Sequence, residues 1–128
     1  TIQKEVAERL CAAPPKMNLL AASVQFWAEP KIIFSIQKSA FSPPPKVDSA
    51  VINLIPQGKP KNKKAYYQTV KMLFQQPRKT ILNNLSNSYQ RPKEEITSSL
   101  NSIGISGQLR PQNLGIEDIK NISLMMYY

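Results

Sequence analysis

Three consecutive prolines, Pro43-Pro44-Pro45, interrupt two apolar β-branched runs, and that interruption constrains the fold more than any other feature of the chain. None of the three has an N–H to offer a neighbouring strand, so the segment cannot lie inside a sheet. The runs on either side can. Ile32-Ile33-Phe34-Ser35-Ile36 suits a short buried strand, and Ser49-Ala50-Val51-Ile52-Asn53-Leu54-Ile55 reads as a second. Antiparallel pairing of the two is the simplest arrangement, with the proline segment projecting as a stiff loop.

Helical patterns precede this pair. Residues 3–12 set Val6, Leu10 and alanines on one side and Lys4, Glu5, Glu8 and Arg9 on the other, and Pro14-Pro15 ends the helix. A second helix is predicted over 18–28, carrying Leu19, Leu20, Val24 and Trp27 and stopped by Pro30, with the Phe26–Trp27 pair in the core. Past Ile55 the pattern changes. Pro56-Gln57-Gly58-Lys59-Pro60-Lys61-Asn62-Lys63-Lys64 is basic, nearly free of apolar residues and punctuated by Gly and Pro, which marks a linker. Beyond it Tyr67, Val70, Leu73 and Phe74 recur at helical spacing, with Lys71 outside. Pro77 fits the first position of a helix bearing Ile81, Leu85 and Tyr89. Pro92 opens another, with Ile96, Leu100 and Ile103 inward and Gly104 as its cap. After a turn at Pro111, a last helix carries Ile116, Ile119 and Ile122, with Glu117 and Asp118 in its first turn, where the helix dipole favours acids.

Several kinds of chemistry are excluded. The chain has no histidine, which removes a Ser-His-Asp triad, a His-metal site and a His general base. Cys11 is the single cysteine, so an internal disulfide or a cysteine zinc cluster is impossible, and without a His partner it reads as a small packing residue. Glu94-Glu95 reads as an acidic first turn after Pro92, not as a paired acid/base site. No residue is assigned a catalytic, cofactor-binding or metal-ligating role. No apolar run is long enough to span a membrane. The chain opens at Thr1 in a helical pattern with no signal peptide, and reads as a piece of a longer cytoplasmic protein.

Charge points elsewhere. The chain's 17 Lys and Arg against 8 Asp and Glu give a net charge of +9. No acid occurs between Ser49 and Lys93, a stretch that holds Lys59, Lys61, Lys63, Lys64, Lys71, Arg78, Lys79, Arg91 and Lys93. Such a field attracts polyanions, because each phosphate contact releases condensed counterions. A solvated basic face is the plainer reading. An acidic membrane surface is disfavoured, since no Trp or Phe stripe accompanies the lysines. The proline loop also has more than one reading: a corner whose Phe41 fills the core, a proline-rich ligand for a partner domain, or a rigid mount that presents Phe41 for stacking on a base.

Two segments then carry a resemblance. Gln3-Lys4-Glu5-Val6-Ala7-Glu8-Arg9-Leu10, followed by Phe41-x-Pro43-x-Pro45-Lys46-Val47-Asp48-Ser49-Ala50-Val51, resembles the small-subunit ribosomal RNA adenine dimethyltransferases. Arg78-Lys79-Thr80-Ile81-Leu82-Asn83-Asn84-Leu85 is similar to a basic segment of their C-terminal helical domain, and Arg110-Pro111 and Leu114-Gly115-Ile116-Glu117-Asp118 fall where that family ends. The erythromycin-resistance methyltransferases share the proline loop, but Val-Asp-Ser-Ala and Arg-Lys-Thr favour the ribosome-biogenesis branch. Pro77 and Leu82 stand where the family often has arginine.

The resemblance implies a fold and a division. Residues 1–57 would be an α/β remnant, two helices and an antiparallel strand pair from the end of a Rossmann-like methyltransferase domain. Residues 58–64 would be the basic linker and 65–128 a small all-α helical domain that binds rRNA. It implies S-adenosylmethionine as the methyl donor of the full-length enzyme, two adjacent adenines of small-subunit rRNA as substrate, and the pre-ribosomal small subunit as partner. Phe41, Pro43, Pro45 and Lys46 match the loop that borders the target adenine, and the nine cations of 59–93 become the rRNA contacts. The family's Gly-x-Gly-x-Gly loop and Asn-Leu-Pro-Tyr motif are not in this sequence. The chain alone is therefore expected to be inactive, to need no donor, and to expose apolar surface on 1–57 unless the missing segment is supplied or chains pair. The rival reading is a non-catalytic RNA-binding or ribosome-assembly module of the same descent.

Overall fold

The computed structural model describes residues 1–127. Ile2–Gln3 (β1) leads into helix α1, Lys4–Leu10, and Leu19–Val24 forms α2. Ala28–Ile36 (β2) and Ser49–Pro56 (β3) follow, then helices α3 (Lys63–Leu73), α4 (Ile81–Tyr89), α5 (Lys93–Ser102) and α6 (Ile116–Tyr127). Short 3-10 turns occupy Lys38–Ala40 and Pro111–Asn113.

The expected strand pair forms, antiparallel, with Ile36 opposite Ser49 and Ala28 opposite Pro56. A third strand joins it: Ile2 and Gln3 pair with Ala50 and Ser49, so the order is β1-β3-β2. Two residues are too few for a periodic signal. Pro30 does not stop a helix. The helix ends at Val24, and Pro30 lies within β2 opposite Leu54. It is tolerated because β2 is an edge strand, where a missing N–H leaves no neighbour short of a donor. The register shifts between Ile32 and Phe34, leaving Ile33 as a bulge.

Nor is β2 buried. Ile32, Ile33 and Phe34 are 38%, 54% and 53% exposed, because α1 covers only one face of the hairpin. Ala7, Leu10 and Ala50 fill that covered face. The expected core pair separates: Phe26 is buried and stacks on Tyr66 with ring centroids 3.9 Å apart, whereas Trp27 is 37% exposed. Trp27 sits where the chain turns from α2 into β2, and only its neighbour points inward. Leu19 is also exposed, since the small Ala21 and Ala22 form the inward side of α2.

The helical pattern holds with local shifts. Tyr66, Thr69, Val70 and Leu73 are the buried side of α3, one residue earlier than the Tyr67 reading, and Lys71 is exposed. Pro77 is not the first residue of α4. It takes the second position of a turn closed by the Lys79 N–H donating to the Gln76 carbonyl (2.9 Å), and Thr80 caps α4 by accepting from the Asn83 N–H at 3.2 Å. Helix α5 begins after Pro92 and ends as expected at Gly104, whose φ of 73° permits a Schellman closure. There Ile105 N–H donates to Leu100 O (3.0 Å) and Gly104 N–H to Asn101 O (3.1 Å).

One buried cluster unites Met17, Ala21, Ala22 and Phe26 with Tyr66, Val70, Leu73, Ile81, Leu85, Ile96, Leu100, Leu114, Ile119 and Ile122. Two tyrosines tie α3 to α2: Tyr66 Oη donates to Ala22 O at 2.7 Å and Tyr67 Oη to Ser23 O at 2.9 Å. The packing thus reaches from α2 across the linker into the helices. Among the described residues no helix is long and apolar enough to cross a membrane, and no group of acids and Cys could hold a metal ion.

Candidate nucleic-acid interface

The proline loop, residues 37–48, is exposed along most of its length. It is closed by one side chain. Asp48 Oδ1 accepts from the Lys38 N–H at 2.9 Å, and the Asp48 carbonyl accepts from the Lys4 N–H at 2.9 Å, so the loop's exit is fastened to its entry and to α1. Phe41 follows the 3-10 turn and is 38% exposed, which removes the reading in which it fills the core. Pro43, Pro45 and Lys46, further along the same loop, are exposed as well. The sequence reading missed Asp48 as the clasp. An Asx residue at the foot of a tight loop was the available signal.

All nine cations of the 59–93 stretch are exposed. Arg91 pairs with Glu95 at 3.7 Å; the other eight have no ion pair among the described residues. Lys63 and Lys64 occupy the first turn of α3, which holds no acid. Cations there oppose the helix dipole, at about 0.3–1 kcal/mol each, and a bound anion reverses that penalty. The stretch is not one cluster. Lys59 and Lys63 line a 330 Å³ cleft with Trp27 and Tyr67. Lys61 lines a 210 Å³ cavity with Phe26 and Lys120. Lys71 borders a 650 Å³ groove with Gln75, Gln76, Asn84, Asn87 and exposed Leu19. Phe41 lines none of these.

Arg78 and Lys79 project from the turn between α3 and α4, and buried Asn84 holds that turn. Its Oδ1 accepts from the Gln76 N–H (3.1 Å), while its Nδ2 donates to Gln76 O (3.0 Å) and Thr80 O (3.1 Å). An amide on the otherwise apolar side of α4, between Ile81 and Leu85, was the legible sign of this role. Cys11 behaves as the packing residue expected: it is half-buried, its Sγ lies 3.5 Å from Pro30 O, and burial pushes its thiol up, away from the thiolate.

The fold defines a class. Over 98% of its length the chain superposes on 56% of a dimethyladenosine transferase from Plasmodium falciparum (TM-score 0.78, 24% identity). It matches 52% of the 23S rRNA methyltransferase ErmE in the same way (TM-score 0.70, 19% identity). At those identities the likeness is one of fold, that of part of a methyltransferase. Sequence narrows the class. A family model described as ribosomal RNA adenine dimethylase matches residues 1–126. Ribosomal RNA small subunit methyltransferase A of Mycoplasma mycoides is 37% identical over 132 residues, covering 98% of this chain and 49% of that protein. The Geobacillus thermodenitrificans protein of the same name is 34% identical over 131 residues, covering 95% and 45%. The chain belongs to the ribosomal RNA adenine dimethylase family, and spans about half the length of the curated relatives it matches.

Proposed function

We propose that this chain is the rRNA-engaging, C-terminal part of an S-adenosylmethionine-dependent cytoplasmic enzyme that dimethylates adjacent adenines of small-subunit rRNA. Residues 1–57 end the methyltransferase domain, 58–64 are the basic connection, whose last two residues already lie in the first turn of α3, and 65–128 form the helical rRNA-binding domain. The observation that carries this is the acid-free stretch 49–93, whose cations are exposed and, Arg91 apart, without ion pairs among the described residues. Lys59, Lys61, Lys63, Lys64, Lys71, Arg78, Lys79, Arg91 and Lys93 supply phosphate contacts, which position RNA without reading it. Phe41, mounted on the clasped proline loop that also carries Lys46, stacks on the target adenine and offsets part of the cost of unstacking it.

S-adenosylmethionine supplies the methyl group when bound, and the residues here do not fit it. The pattern that the family resemblance implies for holding this donor is a Gly-x-Gly-x-Gly turn. Among the described residues only Gly58 lies between a strand and a helix, and it stands alone. No step of methyl transfer is assigned to these side chains. The exposed side of β2 fits the same reading, as a face that a further packed layer of a methyltransferase domain, or a second copy of the chain, would cover.

The test is binding to an adenine-bearing rRNA hairpin across a salt series. Log affinity is expected to fall linearly with log salt, by about 0.7–0.9 for each phosphate contacted. An affinity that hardly moves between low and moderate salt would refute phosphate contact. Phe41→Ala is expected to weaken hairpins with unpaired adenines and leave fully paired stems alone.

A further inference from the structure

We propose that the cleft between Trp27 and Tyr67 seats one unpaired nucleotide of an RNA strand, base against the aromatics and phosphate against Lys59 and Lys63. This rests on the RNA-binding reading and adds a site to it, apart from the Phe41 loop.

The cleft combines what a single nucleotide needs. Trp27, Gly58, Lys59, Pro60, Lys63 and Tyr67 line a space of about 330 Å³, at the small end of ligand sites (roughly 300–1,000 Å³), which suits one nucleotide better than a folded partner. The Tyr67 ring is held before anything binds. Tyr67 Oη donates to Ser23 O at 2.9 Å, and its ring stands edge-on to Phe26 and to Tyr66 at 5.6 Å. The Trp27 backbone is fixed at the rim of the cleft: its amide N–H donates to Val24 O (3.1 Å) and its carbonyl accepts from the Gln57 N–H (2.8 Å). A ring already fixed, as that of Tyr67 is, avoids part of the cost of ordering side chains on binding. Trp27 is nevertheless 37% exposed, although its neighbour Phe26 is buried in the core.

The charge selects among occupants. Lys59 and Lys63 have no acidic partner among the described residues, and the surrounding stretch has no acid at all. An acidic peptide would satisfy the lysines but present no flat π-face to the aromatics. A paired base is stacked inside its helix and cannot enter. An unpaired nucleotide satisfies both halves of the cleft, since every base has a face to stack.

Trp27 is the only tryptophan, so its fluorescence reports on this cleft. The full chain is titrated with a mixed-sequence single-stranded oligoribonucleotide, a blunt RNA duplex and polyglutamate, with fluorescence anisotropy of labelled RNA followed in parallel. The single strand is expected to quench Trp27 over the concentrations at which anisotropy rises, and polyglutamate is expected not to. Trp27→Ala should weaken single-strand binding by about 5- to 150-fold and spare the duplex; Trp27→Phe, which keeps a ring, should lose less. Lys59→Gln with Lys63→Gln should flatten the single-strand salt slope by about 0.7 for the phosphate lost. RNA binding without a change in Trp27 emission, or equal quenching by polyglutamate, overturns the cleft while leaving the basic surface intact. No RNA binding by anisotropy overturns the underlying reading and the cleft with it.

Discussion

The helices and the strand hairpin treat similar apolar residues in opposite ways. Leu73, Ile81, Leu85, Leu100, Ile119 and Ile122 are all fully buried, whereas Ile33 and Phe34 are each more than half exposed. Composition does not separate the two regions; layering does. A helix needs cover along one stripe, and α2 to α6 supply it for one another. A sheet has two faces, and α1 covers one. An apolar strand is therefore only an offer of burial, and a second layer must accept it.

The sharpest way to break this comparison is a matched pair of truncations. Leu85→Ala is expected to cost about 2–5 kcal/mol, the range for emptying a packed core site. Ile33→Ala should stay within about 0.5 kcal/mol, as surface changes do. Urea midpoints at equal slope would measure both. Comparable losses would mean that the β2 face is covered in solution.

Next in size is the turn that carries Arg78 and Lys79. Asn84→Ala leaves the Gln76 N–H and two carbonyls without their side-chain partner, at about 1–3 kcal/mol. Hydrogen exchange at Lys79, whose N–H closes the turn, should accelerate more than exchange in α5. Uniform acceleration would show that Asn84 supports the whole bundle and not the turn.

The smallest effect lies at the seam between α2 and α3. Burial pushes the Tyr66 phenol well above its ordinary value of 10.0, and the Tyr67 phenol is raised for the same reason. The protonated form is favoured in the folded state, so the contribution is complete below pH ~10 and is lost as pH rises beyond it. Tyr66→Phe should cost about 1 kcal/mol at neutral pH through its hydrogen bond to Ala22. It should also make the decline above pH ~10 shallower, read as denaturation midpoints over a pH series. An unchanged alkaline decline would place the titrating group elsewhere.

How much was legible follows the range of the interaction involved. Helix α5 was readable at both ends, because Pro92 and Gly104 act on their own backbone neighbourhood. The start of α4 was misplaced because proline suits both a helix's first position and a turn's second; the cap at Thr80 decided between them. Pro30 followed a sound local rule to the wrong result, since only the sheet order shows that β2 is an edge. At the candidate interface the cations and Phe41 were visible by type. Asp48 and Asn84, which hold the segments that present them, act through contacts that spacing only hints at.

Taken by itself, the order of residues determined where the longer helices and the strand pair lie, where the chain is stiff, where its positive charge gathers, and the family to which it belongs. These depend on near neighbours and on sums of charge. The tertiary structure alone decided which apolar residues are covered, that Trp27 stands beside Lys59 and Lys63, and which face of the hairpin is bare. Those depend on what a distant segment packs against, and no local pattern carries that information.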